Sequence, residues 1–242
     1  MKKVGLVMIL SMLIVFSACE YVDRERINGN GKQVTQNYDF KQFADVDISG
    51  AVNVILQQGP GYEVKLETDE NLVNYLEVAV RDGDELYVKT KKGVNLQPSS
   101  GIDLYITAPY LNKISASGAS SLKTTGKYTQ DQKIEFELHG ASEGELAVRA
   151  PRVEMEATGA STCTIEGENR DIKADAQGAS TINAFNLKTE NAEADASGAS
   201  TIRIFSSVNL QAEASGASTI KYKGNPTTNI QSSGASSVGK EN

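Results

Sequence analysis

The chain has 242 residues, enough for one or two domains with a hydrophobic core. It contains no Trp and one His, and 6% of its residues are aromatic, which is an unusual composition for an enzyme. The net charge of −7 argues against a nucleic-acid partner, because binding phosphates requires basic patches.

The first 18 residues predict a signal peptide. A positively charged start precedes an apolar run of 13 residues, Val4 to Phe16. This run is shorter than the roughly 20 residues of a transmembrane helix and suits a signal-peptide core. Small residues then precede Cys19, as in the bacterial lipobox, whose cysteine is acylated and becomes the mature N-terminus. The alternative is an ordinary secretory signal that happens to contain a cysteine.

The residue after the predicted lipid site bears on location. Glu20 is not the Asp that retains lipoproteins at the inner membrane in some bacteria. We therefore expect an outer-membrane lipoprotein that faces either the periplasm or the cell surface.

The next two segments differ in character. Residues 19–37 are charged and rich in Gly and Asn, which predicts a lipid-anchored tether. Residues 38–110 alternate apolar and polar side chains and predict a β-rich part, with a hairpin turn at 81–84 and one short helix over 68–76. This part either continues the repeats described next as irregular rungs or forms a small sandwich. In both cases it would cap the first rung.

Residues 111–239 repeat about every 19 residues. Each copy centres on Gly-Ala, and the positions two, four and six residues before the Gly are mostly apolar. This alternation predicts a strand with one buried face, and copies that run in the same direction predict stacked parallel strands. The expected fold is all-β, a right-handed parallel β-helix with a glycine at one corner of each rung. The corner glycines are Gly118, Gly140, Gly159, Gly178, Gly198, Gly216 and Gly234.

Few residues of the repeats are candidates for catalysis or ligand binding. A Ser follows each corner glycine by two positions, and we expect its hydroxyl to satisfy backbone groups, since a nucleophile would need an adjacent base. We expect His139 to face solvent at a corner. Cys163 stands in an apolar column and is expected to be buried and unreactive. The aromatic residues of the repeats are scattered and predict no strip for stacking sugars. They include Phe136, Phe185, Phe205 and Tyr222.

One column is acidic in five consecutive rungs. If the register holds, carboxylates lie about 4.8 Å apart on an outward face. Such a face either keeps the stack soluble or recruits a divalent cation or a cationic partner, with calcium as a weak candidate. The five residues are Glu137, Glu156, Asp175, Asp195 and Glu213.

Two stretches resemble the head GIN-domain family of adhesin-like Bacteroidota proteins. They are DVDISGAVNVILQQGPGYEVKLETDENLVNYLEVAV at 45–80 and LYITAPYLNKISASGASSL at 104–122. The DENL turn and the repeated SGAS carry the resemblance, which covers roughly residues 37–238. It implies a β-helical, secreted or surface-anchored protein with an adhesive role.

The expected function is that of a non-enzymatic, lipid-anchored envelope protein that presents a β-helical surface for adhesion or binding. The alternatives are a carbohydrate-binding or carbohydrate-processing protein, by analogy of fold, and an envelope scaffold that self-associates. The expected partners are the membrane, through the lipid, and an extracellular or envelope protein or glycan. We expect no cofactor, apart from the weak calcium candidate.

Overall fold

The computed structural model describes residues 24–81 and 83–241. The fold is all-β, and each repeat adds one parallel strand to each of two sheets that enclose the core. Sheet A contains the strands before the corner glycines: β3 (Asp45–Gly50), β10 (Lys113–Gly118), β13 (Ile134–Leu138), the second halves of β14 (Glu143–Ala157) and β15 (Thr162–Ala176), β17 (Asn191–Ala196), β19 (Asn209–Ala214) and β21 (Thr227–Ser232).

Sheet B contains the strands after the corner glycines. They are β4 (Asn53–Gln58), β11 (Ser121–Thr125), the first halves of β14 and β15, β16 (Thr181–Lys188), β18 (Thr201–Phe205), β20 (Thr219–Lys223) and β22 (Ser237–Lys240). The short β12 (Tyr128–Thr129) pairs with the middle of β14. The predicted stack of parallel rungs is therefore confirmed.

The N-terminal half continues both sheets and then closes them, so it is not a separate sandwich. One further parallel strand joins each sheet, β7 (Glu85–Thr90) beside β3 and β9 (Asp103–Ala108) beside β4. Antiparallel strands follow: β6 (Leu76–Arg81) beside β7, and β5 (Glu63–Asp69) beside β9, with β2 (Gln33–Tyr38) outside β5. A two-stranded sheet of β1 (Glu25–Asn28) and β8 (Val94–Gln97) completes this end, which we call the head.

Two predictions for the N-terminal part need correction. The helix predicted over 68–76 is one 3-10 turn, Val73–Tyr75, because Thr68 and Asp69 finish β5 and pair with β2. The tether predicted over 19–37 is in strands β1 and β2 from residue 25 onwards, although its local composition is polar. The hairpin predicted at 81–84 is confirmed by the antiparallel pairing of β6 and β7.

The corner glycines form one column that begins at Gly50 in the head. From Gly50 to Gly216, each glycine carbonyl accepts a hydrogen bond of 2.7–2.9 Å from the alanine amide of the next rung. At Gly178, φ is +77° and an added Cβ would lie 2.7 Å from the carbonyl oxygen of Gly159. The repeated glycine is thus required both by left-handed backbone and by close stacking of rungs.

The serine column satisfies the same corner. The hydroxyl of Ser180 donates to the carbonyl of Ala157 at 2.8 Å, and Ser200 and Ser218 repeat this bond one rung and two rungs further at 2.9 Å. These side chains are buried. Because the hydroxyls donate to main-chain carbonyls, the structure gives them the backbone role that the sequence predicts.

The two sheets fill the core with side chains of different size. Sheet A contributes a column of alanines, and sheet B contributes a column of isoleucines, all of them buried. Small side chains on one wall and large ones on the other let the sheets approach closely over several rungs. The alanines are Ala174, Ala194 and Ala212, and the isoleucines are Ile182, Ile202 and Ile220.

Candidate functional site

The acidic column lies in register on the outer face of sheet A. Glu137 is paired with Glu156 across β13 and β14, and the pairing continues through Asp175 and Asp195 to Glu213. Glu213 is exposed and the other four are partly buried. The structure therefore brings all five predicted residues together in one ladder.

Basic side chains neutralise the head half of this face. The Nζ of Lys113 lies 2.6 Å from a carboxylate oxygen of Glu137, and Lys133 lies 2.8 Å from Glu154. Burial alone would raise the pKa of Glu137, but the hydrogen bond from Lys113 keeps it below its usual range. Lys173 reaches Asp175 at 3.5 Å. These ion pairs leave little net charge at the head end.

The other half of the ladder keeps its charge. Within the described residues, Glu193, Asp195 and Glu213 form no ion pair, and with Gln231 the last two line a shallow groove of about 310 Å³. Partial burial and the neighbouring carboxylates of Asp175, Glu193 and Glu213 raise the pKa of Asp195 to about 6. The uncompensated negative charge is thus concentrated on the last rungs.

We expect Asp195→Asn to raise the free energy of unfolding by about 1 kcal/mol at neutral pH. This is less than the pKa shift of Asp195 alone would imply, because solvent screens the charge of a partly exposed side chain. The pKa of Asp195 is higher in the folded state than in the unfolded chain, so the folded state takes up a proton first. Protonation of Asp195 therefore stabilises the folded state in acid, and this contribution is lost as the pH rises from about 4 to about 6. The advantage of the variant should therefore disappear near pH 4, as measured by urea unfolding at both pH values. Glu143→Gln, on the outer face of sheet B, is the control, and an Asp195→Asn difference that did not change with pH would contradict the assignment.

The acidic face does not have the geometry of a metal centre. Across residues 24–81 and 83–241, no three Asp, Glu, His or Cys side chains converge to hold a metal ion. The single histidine, His139, is partly buried at a corner, where its Nδ1 lies 2.8 Å from the Thr158 hydroxyl and its Nε2 lies 3.5 Å from Glu137. We therefore propose no metal site on the ladder.

Cys163 is fully buried in the sheet B column, beside Gly144. Burial raises the pKa of its thiol to about 12, so almost no thiolate forms at neutral pH. We expect iodoacetamide to leave Cys163 unmodified in the folded protein and to modify it fully in urea, as read by peptide mass spectrometry. Rapid modification of the folded chain would show that this column opens.

The DENL turn clamps the head together. The carboxylate of Asp69 is buried and accepts hydrogen bonds from the amide of Ser99 at 2.7 Å, the hydroxyl of Ser99 at 2.7 Å and the amide of Gly31 at 2.8 Å. These bonds, led by the Ser99 amide, lower the pKa of Asp69. The side chain of Asn71 bonds to the backbone of Asn28 and Asn30. The motif therefore fixes the loops beside β1, β2 and β8 to the end of β5.

Sequence reasoning missed an aromatic groove in the head. Tyr38, Tyr62 and Tyr105 line a groove of about 560 Å³ at the junction of β2, β5 and β9. No aromatic strip was predicted in the repeats, and these tyrosines lie outside them. The available signal was the concentration of Tyr and Phe in residues 38–110.

The predicted lipid site lies outside the described residues. Cys19 and the signal segment 1–18 precede residue 24, where the description begins. In the part of the chain that is described, no helix is long and apolar enough to cross a bilayer.

A match to a family model shows which protein family the chain belongs to. The model of the family described as "Putative auto-transporter adhesin, head GIN domain" matches residues 42–226. The chain belongs to this family. The match includes both stretches that carry the resemblance in sequence and most of the rungs. It also supports a cell-envelope location, since adhesins act there.

Several solved structures share the fold of this chain. A "putative adhesin" from Bacteroides fragilis has a TM-score of 0.80 at 22% identity, covering 89% of this chain and 100% of its own. A "putative lipid binding protein" from Parabacteroides distasonis has a TM-score of 0.75 at 19% identity, and a "putative adhesin" from Parabacteroides merdae has 0.66 at 19%; each alignment covers 90% of this chain and 100% of the other. No curated protein matches the sequence.

Proposed function

We propose that this protein is a non-enzymatic, lipid-anchored adhesin of the outer membrane. The observation that supports the proposal best is the separation of its two ends. The described chain enters at the head, a few residues after Cys19, and the last rung, β21 and β22, lies at the opposite end of the stack. Nine parallel strands of sheet A, from β7 to β21, set this distance at about 40 Å. A lipid on Cys19 would hold the head at the membrane and present the last rungs outward.

Removing the lipid site tests this function. Cells that carry Cys19→Ala should release the protein from the membrane fraction and lose adhesion to host cells or to other bacteria, compared with cells that carry the natural chain. Cys163→Ala is the matched control and should leave both properties unchanged, because Cys163 is buried. Adhesion that persisted after release of the protein would contradict the proposal.

Self-association is a second candidate function, and the outer edge of β21 favours it. The six residues of β21 are all exposed and uncharged, and Ile230 is 41% exposed. In the same columns the inner rungs carry charges such as Glu193 and Asp195, where β21 has Asn229 and Gln231. Open sheet edges are usually protected by charge or proline within the strand. A neutral edge can pair with the same edge of a second copy in a two-fold dimer.

A charge placed on this edge tests the second candidate. Sedimentation of the full-length chain in detergent should show a monomer–dimer equilibrium that Gln231→Lys shifts to monomer. Lys221→Gln, which changes charge on the face of β20 and leaves this edge unaltered, should not affect the dimer. A monomer at all concentrations, or a dimer unaffected by Gln231→Lys, would reject edge pairing.

A further inference from the structure

The floor of the aromatic groove in the head is built from tyrosine rings held by other aromatic residues. The ring of Tyr38 stacks on Phe40 with centroids 5.9 Å apart and planes 7° apart. Tyr62 packs edge-to-face on Phe43 at 5.0 Å and on Tyr110 at 6.4 Å. These contacts fix the rings before any ligand arrives, which lowers the entropy cost of binding.

The rim of the groove carries polar side chains without internal partners. Asn37, Asp39, Gln57 and Glu63 are exposed around the floor, and within the described residues their side chains form no hydrogen bond or ion pair. Lys65, which also lines the groove, is engaged, because its ammonium lies 2.9 Å from Glu67 and 4.0 Å from the centroid of Tyr105. Two carboxylates and two amides are thus free to meet a ligand.

A tyrosine floor with free carboxylates and amides on its rim matches the chemistry of a sugar ring. One face of a pyranose presents C–H groups that pack on aromatic rings, and its hydroxyls donate to carboxylates and exchange hydrogen bonds with amides. We propose that this groove binds a neutral saccharide. Tyr38 and Tyr62 would hold the apolar face of the ring. The rim side chains Asn37, Asp39, Gln57 and Glu63 would fix its hydroxyls.

The charges of the groove select among ligands. Asp39 and Glu63 would repel a sulfated or sialylated sugar, and Lys65 is already neutralised by Glu67. An acyl chain would need an enclosed apolar pocket, whereas the rim of this groove carries exposed polar side chains. A neutral saccharide is the class that uses both the rings and the free polar groups.

A panel of saccharides tests the proposal with the full-length chain in detergent. Saturation-transfer NMR should detect binding of neutral oligosaccharides of glucose, galactose or mannose, and no binding of sialylated or sulfated ones. Asp39→Ala combined with Glu63→Ala should weaken the affinity at least about tenfold, because both substitutions remove acceptors for sugar hydroxyls. Tyr38→Phe should retain binding, and Tyr38→Ala should lose it.

Glu143→Ala is the matched control, because it removes an exposed, unpaired carboxylate from the same sheet outside the groove. It should bind like the natural chain. The proposal is overturned if no neutral saccharide binds, if only anionic sugars bind, or if the Asp39 and Glu63 substitutions leave affinity unchanged. The groove lies in the head, which the proposed lipid anchor holds near the membrane, so as a ligand site of the proposed adhesin it would bind a saccharide close to the cell's own surface. In that sense the inference rests on the proposed function. The two proposals can fail separately. Absence of saccharide binding in solution leaves adhesion through another face possible, and absence of surface display leaves saccharide binding in solution unaffected.

Discussion

Gly178→Ala should lower the free energy of unfolding by about 2–5 kcal/mol. About 1–2 kcal/mol comes from placing a side chain in the left-handed backbone of the corner, where φ is +77°. The remainder, about 1–3 kcal/mol, comes from forcing a Cβ to within 2.7 Å of the Gly159 carbonyl oxygen, which can only move by disturbing the rung below. Urea unfolding followed by circular dichroism measures the loss.

Gly126→Ala separates the two contributions. Gly126 has nearly the same φ, +76°, but an added Cβ there would meet nothing within 4 Å. It should therefore cost only the conformational part, about 1–2 kcal/mol. Equal losses at Gly126 and Gly178 would mean that stacking of the corners adds no constraint, and the account of the repeated glycine would be wrong.

Asp69→Ala should release the head while leaving the distal rungs folded. The substitution removes the acceptor of three hydrogen bonds and leaves the amides of Gly31 and Ser99 without their side-chain partner. We expect amide hydrogen exchange in β1, β2 and β8 to accelerate at least about tenfold, whereas β17 to β20 remain protected, since repeat stacks can open locally.

Two further substitutions make this result specific. Asp69→Asn keeps the shape of the side chain but turns an NH₂ group toward donors, so it should behave like Asp69→Ala. Glu70→Ala removes only the exposed ion pair with Lys32 and should change exchange little. Uniform acceleration through all rungs after the Asp69 substitutions would show that Asp69 supports the whole stack and that the head is not a separate clamp.

The repeats were predictable because every rung has the same pattern of buried and outward-facing side chains. The alternation before each corner glycine placed residues such as Ala174 and Ala194 inside and Asp175 and Asp195 outside, and the register follows from stacking like on like. The partial neutralisation of the ladder depends on side-chain reach between rungs, as in the pairs of Lys113 and Lys133, which a column alignment does not supply.

The head was less predictable because its contacts are not local. The segment 68–76 has the polar start and apolar spacing of a helix. Strand pairing at both of its ends, of Thr68 and Asp69 with β2 and of Leu76 with β7, outweighs that local preference. The groove escaped prediction for the same reason. Tyr38, Tyr62 and Tyr105 are far apart in the sequence, and the antiparallel pairing of β2, β5 and β9 brings them together.

Labelling of intact cells tests the central claim most directly, namely that a lipid on Cys19 displays the stack at the cell surface. A membrane-impermeant amine reagent should modify lysines of the last rungs, Lys221 and Lys240, on unbroken cells carrying the natural chain. Labelling of these two lysines only after the outer membrane is opened would contradict surface display.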